Sequence, residues 1–221
     1  MPGDSAGRQV FAAGGYTAEG GQAFAGPVPE DHHGRVAAHP SKFHGLGAVP
    51  LQDVDLAIAE LDHALHTLKL AGVEIGTNII GVPIGDPRFE PFFAAAEAWG
   101  AAIFVHPLKA CAMDRVVGPA VLEQVLAFPC ETGMAAASLI TGGTLARHPD
   151  LRIAFSHGGG AFSAIAARLE HAWNVIPPVS KLLTESPLDM ARRLYYDSLV
   201  YNTALLEQQI ALFGPTQTMI G

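Results

Sequence analysis

Two hydrophobic periods alternate along most of this chain. Between residues 53 and 68, Val54, Ile58, Leu61, Leu65 and Leu68 recur at steps of four and three, the spacing of a helix with one buried face. Asp53 is placed to cap its start and Gly72 to end it. Short apolar runs stand between such stripes, at 45–49 before Pro50, 73–75 before Gly76, 101–105, 151–155, 194–200 and 218–220. Runs of this kind suit strands of a parallel sheet covered on both faces. Further helices are predicted after Asp86 and Pro87, with a body at 92–99 stopped by Gly100, then at 131–140, 161–173 and 203–213. The region before residue 131 reads as irregular, Pro177 and Pro178 as a break, and Pro187 as the start of a turn. Six strands alternating with helices give an α/β class with right-handed βαβ units. Alternation alone does not separate an open sheet from a barrel.

Composition narrows the possibilities. With 221 residues, 49% hydrophobic and 15% charged, one α/β domain has ample material for a core. A net charge of -8 argues against a nucleic-acid surface, which needs clustered Lys and Arg. No apolar run approaches the roughly 18 residues that span a bilayer, and no basic-then-apolar leader opens the chain. Cys111 and Cys130 lack metal-type spacing and read as reduced thiols of a cytoplasmic protein. Residues 1–30, rich in Gly and Ala, show neither period and read as loop or poorly packed chain. Residues 35–42 read as the end of a helix and a His-Pro-Ser turn.

Two corners carry the candidate chemistry. In LRIAFSHGGGAF (151–162) a strand stops at His157, three glycines follow, and a helix begins whose Phe162, Ile165, Ala166, Leu169 and Trp173 share a face. In AAIFVHP (101–107) a second strand ends at His106, and Pro107 cannot continue the ladder. Ligand sites of barrels and open α/β sheets lie beyond the carboxyl ends of strands. A single histidine after a strand reads more readily as a hydrogen-bonded structural residue than as a catalytic one, but two such ends in one barrel would aim both imidazoles into one mouth. Glycines 158–160 permit positive φ and a close approach by a ligand or another backbone. His63 and His66, three apart on a helix, read as a solvated face rather than a metal pair.

Five segments, GLGAVPLQD (45–53), GVEIGTN (72–78), DPRFEPFFAAAEAWGAAIFVHP (86–107), LRIAFSHGGGAF (151–162) and LYYDSLVY (194–201), resemble in order and spacing the aminocarboxymuconate-semialdehyde decarboxylase group of the amidohydrolase superfamily. The resemblance implies a (β/α)8 TIM-barrel-type fold, present as an incomplete barrel of about the last six strands. An atypical Gly/Ala-rich segment would occupy 1–34 and the partial barrel 35–221. It further implies a divalent metal, usually zinc, no organic cofactor, and nonoxidative loss of CO2 from an unsaturated or aromatic carboxylic acid. By position in the motifs, His106 takes the role of metal ligand and His157 that of acid/base. Arg168, eleven residues after His157, takes that of binding a substrate carboxylate across the interface of a homodimer. The residue types suit these roles: imidazole ligates zinc, a metal-free imidazole carries a proton, and a guanidinium fork matches a carboxylate. The implied partners are a small-molecule carboxylic acid and a second copy, with no nucleic acid and no membrane.

The sequence also departs from that family. The family's first strand ends in His-x-His, two ligands that period-two alternation sends to one face. This chain has no His-x-His, and the adjacent His32 and His33 would point to opposite faces of a strand. The family's last strand runs into Gly-Ser-Asp-Tyr-Pro, whose aspartate is a ligand, whereas this sequence ends at Gly221, about two residues before it. The expectation is a truncated, C-terminal portion of a decarboxylase-like barrel, with open edges unless residues 1–34 or a partner chain cover them. A lactone or amide hydrolase of the same superfamily, or an inactive fragment acting as an oligomerisation partner, would use the same residues.

Overall fold

The protein is described here from a computed structural model covering residues 10–12, 43–111 and 113–221. His32, His33, the turn at 39–41 and the expected boundary at residue 34 lie outside the described residues.

The six expected strands form, as β2 (Phe43–Ala48), β3 (Gly72–Ile75), β6 (Ala102–Val105), β7 (Arg152–Phe155), β8 (Tyr195–Asp197) and β9 (Thr218–Met219). A further strand, β1 (Val10–Ala12), falls in the stretch read as loop and pairs with β2, so the N-terminal segment supplies one edge of the sheet. All seven pair in parallel in the order β1-β2-β3-β6-β7-β8-β9. This order settles what alternation left open. A doubly wound sheet reverses its order at a switch point, whereas sequential parallel neighbours keep every crossover on one side and curl the sheet into a barrel wall. Among the described residues β1 and β9 are the two edges.

Strand alternation sorts the side chains. Val73, Ile75, Ile103, Val105, Ile153, Phe155 and Tyr196 face outward into the core. There they meet Ala57 and Leu61 of α1 (Val54–Asp62), Phe92, Phe93 and Ala96 of α2 (Glu90–Ala98), and Leu139 of α3 (Phe128–Thr141). Tyr196 is wholly buried, stacked 4.3 Å from Phe213 and 6.4 Å from both Phe155 and Phe162, and its hydroxyl donates to the Ala191 carbonyl. Inward-facing Leu46, Ala102, Phe104, Ala154, Tyr195 and Met219 line a cavity of about 240 Å³ inside the curve.

The helix ends show where local signals misled. Asp53 caps α1 by accepting from the Leu56 amide, as expected. The helix continues as a π turn (His63–Thr67) and ends before Lys69 at φ 56, not at Gly72. Gly72 instead opens β3, where a Cβ would lie 1.7 Å from the Ala102 carbonyl oxygen, so the close strand approach requires glycine. His63 and His66 are exposed, and His66 pairs with Asp62 at 2.9 Å. The 131–140 helix begins earlier, as α3 preceded by a π turn (Glu123–Ala127), because Pro129 sits in a first turn that tolerates it. Short α4 (Thr144–Arg147) follows, and α5 (Phe162–Val175) covers β7. Pro177 and Pro178 start α6 (Pro177–Leu182) for the same reason as Pro129, and Pro187 leads α7 (Pro187–Ala191). The last helix is α8 (Thr203–Phe213), within its expected bounds. A small hairpin, β4 (Asn78–Ile79) with β5 (Val82–Pro83), was hidden because Ile80, a poor turn former, occupies its tip at φ 51 beside Gly81 at φ 78. Among the described residues no helix is long and apolar enough to cross a membrane.

One interior residue generates a pH dependence. Glu74 lies between outward-facing Val73 and Ile75, is buried, and has a carboxylate oxygen without a hydrogen-bond partner. Burial pushes its pKa up to about 7 from an ordinary 4.5. Between these values the unfolded chain releases a proton that the folded chain keeps, so stability is lost as pH rises through the window. Glu74→Gln is therefore expected to be more stable than the native chain at pH 8 by about 1–3 kcal/mol and nearly equal to it at pH 4. Urea denaturation at both pH values reads this directly, and equal stabilities at pH 8 would show that the carboxylate is solvated.

Candidate active site

The site is built where β6 and β7 end side by side. Val105 pairs with Phe155, and the ladder continues past the strands: the His106 amide donates to the Ile75 carbonyl and the Ser156 amide to the Val105 carbonyl. This register sets His106 opposite Ser156, and sequence-predicted His157, one residue further on, brings its ring to 5.1 Å from the ring of His106, also sequence-predicted, between centroids and tilted by 54°. Phe128 of α3 meets the His106 ring edge to face at 6.3 Å.

His157 stands at φ 55, followed by Gly158 at 60, Gly159 at 76 and Gly160 at 59, so the corner is a run of left-handed residues that only glycines make inexpensive. The close approach expected of these glycines is made by the protein itself. A Cβ on Gly160 would lie 2.0 Å from the Pro129 carbonyl oxygen, and one on Gly158 would lie 2.3 Å from Val200 and 2.5 Å from Gln209. The Ala161 amide donates to that same Pro129 carbonyl, locking the corner against α3.

Asp197, at the end of β8, is the site residue that sequence reasoning passed over. It is buried, and its Oδ1 accepts from the Gly158 amide at 2.7 Å and the Leu199 amide at 3.0 Å. Gln209 of α8 donates to its main-chain carbonyl. The available signal was an acidic residue at the carboxyl end of a barrel strand, the position where functional groups gather. Burial lowers the His157 pKa below the usual histidine value, and the Asp197 charge opposes the shift. His106 is lowered first by burial and then by the neighbouring His157, again against Asp197. Both imidazoles are thus neutral at pH 7, fit to ligate or to accept a proton.

Beyond the two rings opens a cavity of about 650 Å³, walled by Val125, Phe128 and Pro129 on one side and Leu199, Val200, Tyr201 and Leu205 on the other. Its chemistry is an apolar chamber with an imidazole pair at one end. Arg168 is not brought to it. It lies exposed on α5, away from the lining residues, and makes no hydrogen bond or ion pair within the described residues. A catalytic zinc site normally uses about three protein donors. Among the described residues no three His, Cys, Asp or Glu side chains converge to hold a metal, so these residues do not form a complete metal centre.

The chain matches the Amidohydrolase family over residues 16–221. It is 34% identical over 194 residues to the 2-amino-3-carboxymuconate-6-semialdehyde decarboxylase of Dictyostelium discoideum, a match covering 86% of this chain and 54% of that protein. Its fold is similar to that of 5-carboxyvanillate decarboxylase from Sphingomonas paucimobilis, with TM-score 0.77 and 28% identity over 87% of this chain and 59% of that one. It also shares the fold of a dihydroxybenzoic acid decarboxylase from Polaromonas sp. JS666, solved with bound manganese and the inhibitor 2-nitroresorcinol, at TM-score 0.72 and 21% identity over 87% and 61% of the two chains. The chain thus spans a little over half the length of these relatives.

The electrostatics and the corner geometry can be checked separately. By proton NMR, both His106 and His157 are expected to titrate below the usual histidine value, and Asp197→Asn to move both lower still, since it removes the charge that holds them up. An unchanged titration would place the Asp197 charge too far away to act. Gly160→Ala is expected to lower stability by at least about 2 kcal/mol in thermal melts, from backbone strain and the clash with Pro129.

Proposed function

Since the chain belongs to the amidohydrolase superfamily, within its aminocarboxymuconate-semialdehyde decarboxylase-like group, we propose that it is the carboxyl-terminal part of a metal-dependent nonoxidative decarboxylase acting on an unsaturated or aromatic carboxylic acid. The observation that carries the reading is the pair of facing imidazoles, His106 and His157, on adjacent strand ends at one end of an apolar cavity.

The cavity chemistry suits loss of CO2. A carboxylate pressed against Phe128, Val125 and Leu199 gives up hydration that its charge needs, while neutral CO2 needs none. His157, neutral at rest, first takes a proton from solvent. As the carbon–carboxyl bond breaks, the electron pair remains on carbon and accepts that proton, which returns His157 to its neutral form and releases CO2. His106 is proposed as one donor to a divalent metal, zinc or the manganese of the Polaromonas enzyme, within a set that the described residues do not complete. Arg168, exposed on α5 and without a partner among the described residues, is proposed to reach the substrate carboxylate of a second copy in a cytoplasmic homodimer.

The test is CO2 release from a panel of aromatic and muconate-type acids, with zinc and manganese supplied in turn. His157→Ala is expected to lower turnover by about 100-fold or more. Elemental analysis of the purified chain is expected to find zinc or manganese that His106→Ala loses. Full turnover by His157→Ala, or a hydrolysed product without CO2, sinks the decarboxylase reading. No turnover under any condition favours a chain that serves only as an oligomerisation partner.

A further inference from the structure

Tyr201 stands out among the residues around the cavity. It is one of only four non-glycine residues at positive φ among those described, at 56°, and the bulk of its side chain makes that conformation a true outlier. His157 is another of the four, and both line the same cavity. The ring is 89% exposed and its hydroxyl has no partner among the described residues, so nothing in the fold is gained by placing a tyrosine there. The turn would form more easily with glycine. It is fixed from both sides, by the Val200 amide donating to Ser198 and by Asn202 accepting from the Ala204 amide to cap α8. Backbone strain maintained at a cavity rim, on a residue that contributes no packing, is the pattern of a functional position.

We propose that Tyr201 contacts the substrate, its ring closing over the ring of an aromatic acid held near His106 and His157 and its hydroxyl bonding a polar substituent of that ring. The inference rests on reading the cavity as an aromatic-acid site. A tyrosine supplies both an apolar face and a polar tip, which matches a hydroxylated ring. The lining contains no Lys or Arg among the described residues, so what this wall itself offers a ligand is contact with its ring, apart from any charge brought by a second copy or a metal.

The experiment is calorimetric titration of the full chain with benzoate and with 2,6-dihydroxybenzoate, for the native protein, Tyr201→Gly and Tyr201→Phe, alongside thermal melts and gel filtration. Tyr201→Gly is expected to weaken both probes by about fivefold or more while keeping or raising Tm, because it relieves the backbone and removes the ring. Tyr201→Phe is expected to spare benzoate and weaken 2,6-dihydroxybenzoate by about 3–10-fold, the worth of one hydrogen bond. Native-like affinities in both variants overturn the proposal, as does a native chain that binds neither probe. A change of oligomer size in Tyr201→Gly with affinity intact also overturns it, making the ring a subunit contact. If Tyr201 governs binding but no acid loses CO2, the decarboxylase reading fails and this inference stands. If CO2 is released and the Tyr201 variants bind as before, the reverse holds.

Discussion

The hydrogen bond from the Gly158 amide to the Asp197 carboxylate, 2.7 Å long and shielded from water, is the constraint on which the site depends. It joins the corner after β7 to the end of β8, and Gln209 extends the link to α8 through the Asp197 carbonyl. A charge-assisted bond of this kind contributes about 1.5–3 kcal/mol, and losing either partner leaves a buried polar group unsatisfied. Around it the backbone has no slack, since side chains on the glycines would strike Val200, Gln209, Tyr196 or Pro129. The direction in which His157 points therefore follows from contacts among two strands and two helices rather than from its own turn.

The same carboxylate joins geometry to electrostatics. Burial drives both imidazoles toward neutrality, and Asp197 limits how far. The result is two neutral rings 5.1 Å apart at the mouth of an apolar chamber, one suited to donate to a metal and the other to handle a proton. The barrel wall supplies the remaining condition. Sequential parallel strands bring every strand end to one rim, so residues separated by about fifty positions meet there.

The strand ends at His106 and His157 were legible in the chain because an apolar run that stops at a polar residue is a local pattern. The α8 bounds were legible for the same reason, with Asn202 before them and Gly214 after. The signals that failed were those in which one residue type serves two structural ends. Gly72 looks like a helix stop in sequence but serves a strand crossing close to Ala102, and Pro177 looks like a break but starts a helix. β1 was invisible because three residues carry no period, and it exists only through its pairing with β2.

By itself, the sequence determined the α/β class, the order of strands and helices, the two histidine corners and the family resemblance, since each is written in residue type and spacing over short stretches. The tertiary structure alone decided that the sheet curls in sequential order, that the two imidazoles face each other, that Arg168 lies away from their cavity, and that Asp197 clamps the corner. These depend on register between strands and on contacts among residues far apart in the chain, and no local pattern encodes a distance between segments that meet only when folded.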